Sequence, residues 1–458
     1  MTGLKGATNW WTAALAAFCL ALVLFFFSGP GARAADGPGA AAHLGVASCA
    51  GSTCHGRQEG NGTTVRQDEL SRWQDDASQA GAHSRAWRVL GLPRGRAIAA
   101  RLGIGDPQTA AACLGCHADP APVHRDGWRV ADGVGCEACH GGAAAPWLAS
   151  HAATGATHQK NVANGLYPLE NPRARAALCL DCHFGSARPG QFVDHTLMAA
   201  GHPRISFELD LFTALEQHWD EDADYAHRKG RPDHVQAWAV GQALALQRAL
   251  SLYQGPRGQA GAFPEFYFFD CHSCHRRIAD TADFRPAALA NPGRPVPPGT
   301  PPFQDENMIM LSAAARVAAP GQAARFDADA RAFHAALAQG RSASIAAGQK
   351  LHDSAGALAS AFAGRSFGRA ETFAMIGAVA DGAAQRYTDY EASAQAVMAL
   401  DTLLDALVKQ GVVDHAAATG IRGQIDVAYR AVRDPNAYQP LEFRAALARA
   451  AAAIRRLK

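Results

Sequence analysis

The chain has 458 residues, enough for two or three domains, with 48% hydrophobic residues weighted towards alanine and only 8% aromatics. A net charge of +2 says nothing about partners, and no nucleic-acid-binding motif is present, so binding to nucleic acid is set aside. The informative residues are the eleven cysteines and 19 histidines.

The N-terminus reads as an export signal. Lys5 supplies a positive start, Trp10 to Phe27 an apolar run, Ser28-Gly-Pro a helix break and Ala32-Arg33-Ala34 an A-x-A cleavage site. Residues 1–34 are thus expected to be a signal peptide with the mature chain starting at Ala35. Left uncleaved, the same run is close to membrane-spanning length and would be a single anchor. Cys19 lies in this run and has no partner in any motif.

The other ten cysteines form five pairs, and histidine follows the second cysteine of every pair. Four are C-x-x-C-H: Cys113 to His117, Cys136 to His140, Cys179 to His183 and Cys271 to His275. This is the signature of covalent c-type haem: the thiols form thioethers with the two vinyl groups and the imidazole reaches the iron. Zinc or disulfides make no demand for those histidines, whose occurrence by accident has a probability on the order of 10⁻⁷. The first pair, Cys49-Ala-Gly-Ser-Thr-Cys54-His55, has four residues between its thiols, and its Gly and Ser permit the extra turn. Its rivals are a single thioether at Cys54 or a Cys49–Cys54 disulfide. Five haems c are expected, with His55, His117, His140, His183 and His275 as proximal ligands. Haem c is attached outside the bacterial cytoplasm, which fits export to the periplasm.

Between the motifs run Gly, Pro and short apolar helical pieces without strand-like alternation, so porphyrin would be the core of residues 44–284. One longer helix is expected from Pro232 through Val235, Trp238, Leu246 and Leu250. The acidic stretch Asp220 to Asp224 before it matches no calcium-loop spacing and reads as a solvated loop. Phe263, Phe266, Tyr267, Phe268 and Phe269 read as packing against the last porphyrin. Residues 285–303 are Pro-rich, a semi-rigid linker or arm. Residues 304–458 carry helical stripes such as Phe326, Ala330, Phe333, Leu337 and Ala394, Val397, Leu400, Leu404, Leu407. Breaks at Pro320-Gly321, Gly340, Gly364, Gly411 and Pro435 divide them into antiparallel helices. The fold class is therefore mainly α with extensive loops, a multihaem domain followed by an Ala-rich helical bundle. His334, His352 and His415 in that bundle are isolated and read as surface or packing residues.

Three segments resemble the cytochrome c554 and hydroxylamine oxidoreductase-like multihaem cytochromes: Trp73-(x)9-His83-Ser-Arg-Ala86, Gly133-Val-Gly-Cys-Glu-Ala-Cys-His-Gly141 and Ala200-Gly-His-Pro-Arg-Ile-Ser-Phe-Glu-Leu209. The likeness covers about residues 44 to 280 and departs from the tetrahaem members in haem count, first spacer and C-terminal extension. It implies closely packed haems, mostly with two histidine ligands, and by position offers His83, His151, His195 and His202 as distal ligands. His124, His158, His218, His227 and His234 also crowd this region; His124, His158 and His234 are weaker candidates, and His218 and His227 receive no role. His272 reads as incidental and Met198 as core packing.

Five haems held by so little protein must lie close enough to exchange electrons. The expected function is electron transfer between a redox protein or membrane quinol oxidoreductase and another partner. The alternative is an oxidoreductase with one open haem acting on nitrite, nitric oxide or hydroxylamine, since only four distal histidines are proposed for five irons. The Cys-x-x-Cys-Lys site of pentahaem nitrite reductases does not occur.

Overall fold

The computed structural model describes residues 41–60, 66–260, 264–275, 293–297, 300–386 and 389–458. The expected export segment, Cys19, Phe263 and most of the Pro-rich stretch lie outside them. The described chain is mainly helical with loops, and its only β pairings are isolated bridges.

Helices in the first half are short: α1 (Glu69–Trp73), α2 (Pro93–Leu102), α3 (Ala111–His117), α4 (Cys136–His140), α5 (Trp147–Ala152), α6 (His158–Ala163), α7 (Pro172–His183), α8 (His195–Ala199), α9 (Leu209–Leu215) and α10 (Ala223–Lys229). The second half has α11 (His234–Gln254), α12 (Cys271–Cys274), α13 (Glu306–Ala318), α14 (Pro320–Leu337), α15 (Arg341–Ala363), α16 (Arg369–Arg386), α17 (Tyr390–Lys409), α18 (His415–Ala431) and α19 (Pro440–Arg455). Side chains of Asp233, Asp389 and Asp414 accept from the first free amides of α11, α17 and α18, and proline opens α14 and α19. Gly340, Gly364, Gly411 and Pro435 fall between helices, and Pro320-Gly321 is the first turn of α14.

One hydrophobic core runs from Ala176 and Leu180 on α7, through Trp238, Leu246 and Tyr253 on α11, to Phe326, Phe333, Phe362, Leu403, Phe443 and Ile454. Among the described residues, none before Ala176 belongs to it. Helix α11 packs against α7 on one side and against α13, α15 and α17 on the other, so the haem-motif region and the C-terminal helices share it. Within the Pro-rich stretch, Arg294 is buried and pairs with Asp305 at 3.2 Å and with Asp389, and Phe303 is fully buried. The described part of the stretch is therefore packed against the bundle.

Candidate haem sites

Each C-x-x-C-H motif shapes a helix end: α3, α4 and α7 finish on the motif histidine, and α12 spans Cys271 to Cys274. A helical turn brings residues i, i+3 and i+4 to one face, so both thiols and the imidazole share a side. The first motif instead turns without a helix, closed by Cys54 N to Gly51 O at 2.8 Å and His55 N to Cys49 O at 3.2 Å. No disulfide joins any of the ten described cysteines, Cys49 and Cys54 included.

Motifs distant in sequence abut. Cys116 Sγ lies 4.0 Å from the Cys182 carbonyl and Cys182 Sγ 3.8 Å from the Gly115 carbonyl, and the side chains of Cys49 and Cys136 are neighbours. A Cβ on Gly115 would lie 2.6 Å from the Gly190 carbonyl, so only glycine lets the second motif approach the loop after the fourth. Glu137, inside the third motif and buried, accepts amides from Leu44 at 2.9 Å, Gly45 at 2.7 Å and Ala143 at 2.6 Å. It clamps the strand entering the first motif onto the third.

Every motif histidine faces one other histidine. Ring centroids are 6.1 Å apart for His55–His151, 6.3 Å for His117–His202, 6.3 Å for His140–His218, 5.9 Å for His183–His83 and 6.1 Å for His275–His195. Edge-to-face ring contacts also fall at about 4.5–7 Å, so the distance gains its meaning from the presence of one motif histidine in each pair. With imidazole–metal bonds of about 2 Å, the value for zinc, two rings sharing one metal have centroids about 6 Å apart. The pairs fit an iron between them, and the attachment cysteines stand beside one ring of each. Among the described residues no group of three or more His, Cys, Asp or Glu is arranged to hold a metal. A sixth pair, His43–His124 at 6.2 Å, shows that spacing alone is insufficient. No cysteine motif contains either ring, and Asp119 serves them instead, 2.6 Å from His43 Nδ1 and 4.0 Å from His124 Nε2.

Five of the ten paired rings have their Nδ1 held as well, which fixes the tautomer that leaves Nε2 for a metal. His117 Nδ1 donates to the Ala86 carbonyl at 2.7 Å, His202 Nδ1 to Pro203 O at 2.8 Å and His218 Nδ1 to Glu216 O at 3.1 Å. Carboxylates take His55, through Glu69 at 3.0 Å, and His83, through Glu216 at 3.0 Å. Burial pushes His140 down to about 3 and His183 to about 4, and lowers His117, His151 and His202, so these rings are neutral, the form in which imidazole can bind a metal; at His83 burial is outweighed by Glu216, which raises it, and Glu69 raises His55.

The quoted segments gain physical reasons. In His83-Ser-Arg-Ala86 the imidazole faces His183 while the Ala86 carbonyl orients His117, so one turn serves two sites. Gly133, at φ +67°, lets Val134 N reach the His83 carbonyl at 3.1 Å, where a Cβ would meet that oxygen at 2.5 Å. The turn before His202 is held by Arg94, at 2.9 Å from Gly201 O, and Arg101, at 2.8 Å from Ala200 O.

The remaining histidines have other work. His124 stacks on Trp128 at 3.8 Å, His158 lies 2.9 Å from Glu170, and His234 sits between Asp210 and Glu221. His272 packs edge-on to Tyr438, and Met198 lies against the core. The acidic stretch is occupied: Asp220 pairs with Arg66 at 2.5 Å, Asp222 caps α10, Asp224 pairs with Arg228 and Glu221 with His234. His218 is the site residue that sequence reading did not single out. Its signal was weak: a histidine just past a short apolar helix, with no family segment around it.

Motif helices, paired cysteines and facing imidazoles define a c-type cytochrome, a haem c protein of electron transfer. Residues 48–141 match the family described as cytochrome c554 and c-prime, so the resemblance to c554-like cytochromes holds over the first three motifs. Neither the curated proteins nor the solved structures give a match.

Proposed function

We propose that this chain is an exported, periplasmic multihaem cytochrome that passes electrons between redox partners through five haems c, each held between two histidines. The observation that carries the reading is the set of five histidine pairs, each containing one motif histidine, at 5.9 to 6.3 Å. Haem c brings one-electron chemistry, and two histidine ligands, without methionine, favour low potentials.

The contacts between motifs arrange the sites in a row. Cys49 beside Cys136 joins the first to the third, and Glu216, touching His83 and His218, joins the third to the fourth. Cys182 beside Cys116 joins the fourth to the second, and the short stretch from His195 to His202 joins the second to the fifth. Cys54 at one end of the row and Cys274 at the other are exposed, so a partner can approach either end. Electron donors of the quinol oxidoreductase class, or a small redox protein, suit such a carrier. With a histidine opposite every motif histidine, the reading of an iron left open to nitrite, nitric oxide or hydroxylamine has no site to support it.

The test uses the purified holo-protein. Mass spectrometry is expected to give the polypeptide from Ala35 plus five haem masses, and carbon monoxide titration followed by EPR to find every iron low-spin and none ligand-accessible. Four haem masses would remove the first site, and one carbon-monoxide-binding iron would revive the enzyme reading.

A further inference from the structure

We infer that Glu216 is a positioning residue shared by two neighbouring haem sites, fixing the distal ligand of the third with its main chain and lowering the potential of the fourth with its carboxylate; this rests on the two-histidine reading above. Glu216 stands at the C-terminal end of α9, where Leu209–Leu215 has stopped and its own carbonyl is free. That carbonyl accepts from His218 Nδ1 at 3.1 Å, and its Oε2 lies 3.0 Å from His83 Nδ1. The two rings face different motif histidines, His140 and His183. One end of one helix thus sets both ring orientations.

The two bonds differ in chemistry. A carbonyl acceptor orients a ring and polarises it little. An ionised carboxylate draws the Nδ1 proton towards itself, makes the imidazole a stronger donor at Nε2 and stabilises the oxidised metal. Of the distal histidines, only His83 has a carboxylate partner. The other outward nitrogens with a described acceptor meet carbonyls, at His117, His202 and His218, except for the proximal His55 with Glu69. His183 Nδ1, across from His83, is buried with no hydrogen-bond partner, so at the fourth site Glu216 alone supplies this electron donation. The fourth site is accordingly the lowest-potential member of the middle of the row, between the third, whose distal ring has a carbonyl acceptor, and the second, where both rings do.

The experiment compares wild type, E216Q, E216D and H83A as holo-proteins, by potentiometric titration of the haem absorbance together with EPR and carbon monoxide binding. Glutamine keeps the size and an acceptor oxygen but removes the charge. In E216Q one step, a fifth of the haem absorbance, is expected to move up by about tenfold in its reduction equilibrium, about 59 mV for one electron. All irons should stay low-spin, and E216D, which restores the charge on a shorter arm, should return that step towards wild type. In H83A one iron should become high-spin and bind carbon monoxide. If H83A changes no iron, the two-histidine reading of that site fails. If H83A behaves as expected while E216Q leaves every step in place, or E216D shifts as far as E216Q, the inference about Glu216 fails alone. If E216Q does not retain all its haem, E216D is read alone: a small upward move of one step supports the inference, and none overturns it.

Discussion

The two halves of this molecule solve the problem of a core differently. After residue 300 the helices run 13 to 23 residues and share a continuous apolar interior, with Phe333, Leu358, Phe362, Leu403 and Phe443 fully buried. Before Ala176 the helices span 5 to 10 residues, and no described residue joins that interior. Isolated helices of such length are marginal in water. A stretch of about 130 residues that keeps its shape without an apolar centre needs another filling, and the histidine pairs and thiols mark where it sits. On the reading proposed above, haem is structural as well as functional on one side only, and α11 is the seam.

The largest break in that contrast comes from removing one attachment site. Replacing Cys136 and Cys139 together by Ala should delete one haem mass and leave the contacts of Glu137 and His140 unsupported. Limited proteolysis should then cut readily between residues 41 and 171, while fragments containing α13 to α19 persist. Uniform protection across both halves would show that the N-terminal half does not depend on haem. The reciprocal experiment is Trp238→Ala on α11. Trp238 is fully buried in the shared core, and its truncation should cost about 3–5 kcal/mol. The helical circular-dichroism transition should drop in temperature with all haem masses retained.

The next effect is spectroscopic. His218→Ala should turn the iron facing His140 high-spin and open to carbon monoxide, with haem attachment and helical content unchanged. His202→Ala should do the same to the iron facing His117. His158→Ala and His124→Ala should change no iron, because those rings face Glu170 and Trp128. If His158→Ala or His124→Ala alters the EPR spectrum, the assignment of pairs is wrong.

Much of this was readable from residues alone, for identifiable reasons. Thioether spacing is local, so the motifs and proximal histidines could be read directly, and breaks such as Gly340 and Pro435 lay where helices end. Pairing was not local. His151 stands just after the third motif yet faces His55 of the first, and His83 stands after the first yet faces His183 of the fourth. Nothing in a linear reading fixes which motif crosses to which ligand. His218 escaped because its role depends on where α9 ends, a tertiary fact. Helix α11 looked like part of the haem-motif region because it lies before the last motif; its apolar residues all round, Val235, Trp238, Ala239, Val240 and Leu250 among them, were the sign of burial on every side.

The smallest predicted effect concerns the seam itself. His234 opens α11 and joins elements from both sides: Nδ1 lies 3.0 Å from Asp210 of α9, and Nε2 lies 3.2 Å from Glu221, which Lys409 of α17 approaches at 3.9 Å. Burial alone would push its imidazole down, but the hydrogen bonds to Asp210 and Glu221 outweigh it and raise His234 to about 9. An unfolded histidine titrates near 6.5, so the folded form holds its proton more tightly. The linkage has one sign: the stabilisation is complete below about pH 6.5, declines as pH rises, and is gone above about pH 9. A shift of that size is worth on the order of 3 kcal/mol. His234→Gln should therefore lower the melting temperature at pH 6, where wild type holds the charged ring, and make little difference at pH 9.5. The separation between wild-type and variant melting temperatures should close across that window. If the two curves run parallel from pH 6 to 9.5, His234 contributes through shape alone, and the seam between the halves is held by the apolar face of α11 without this charge.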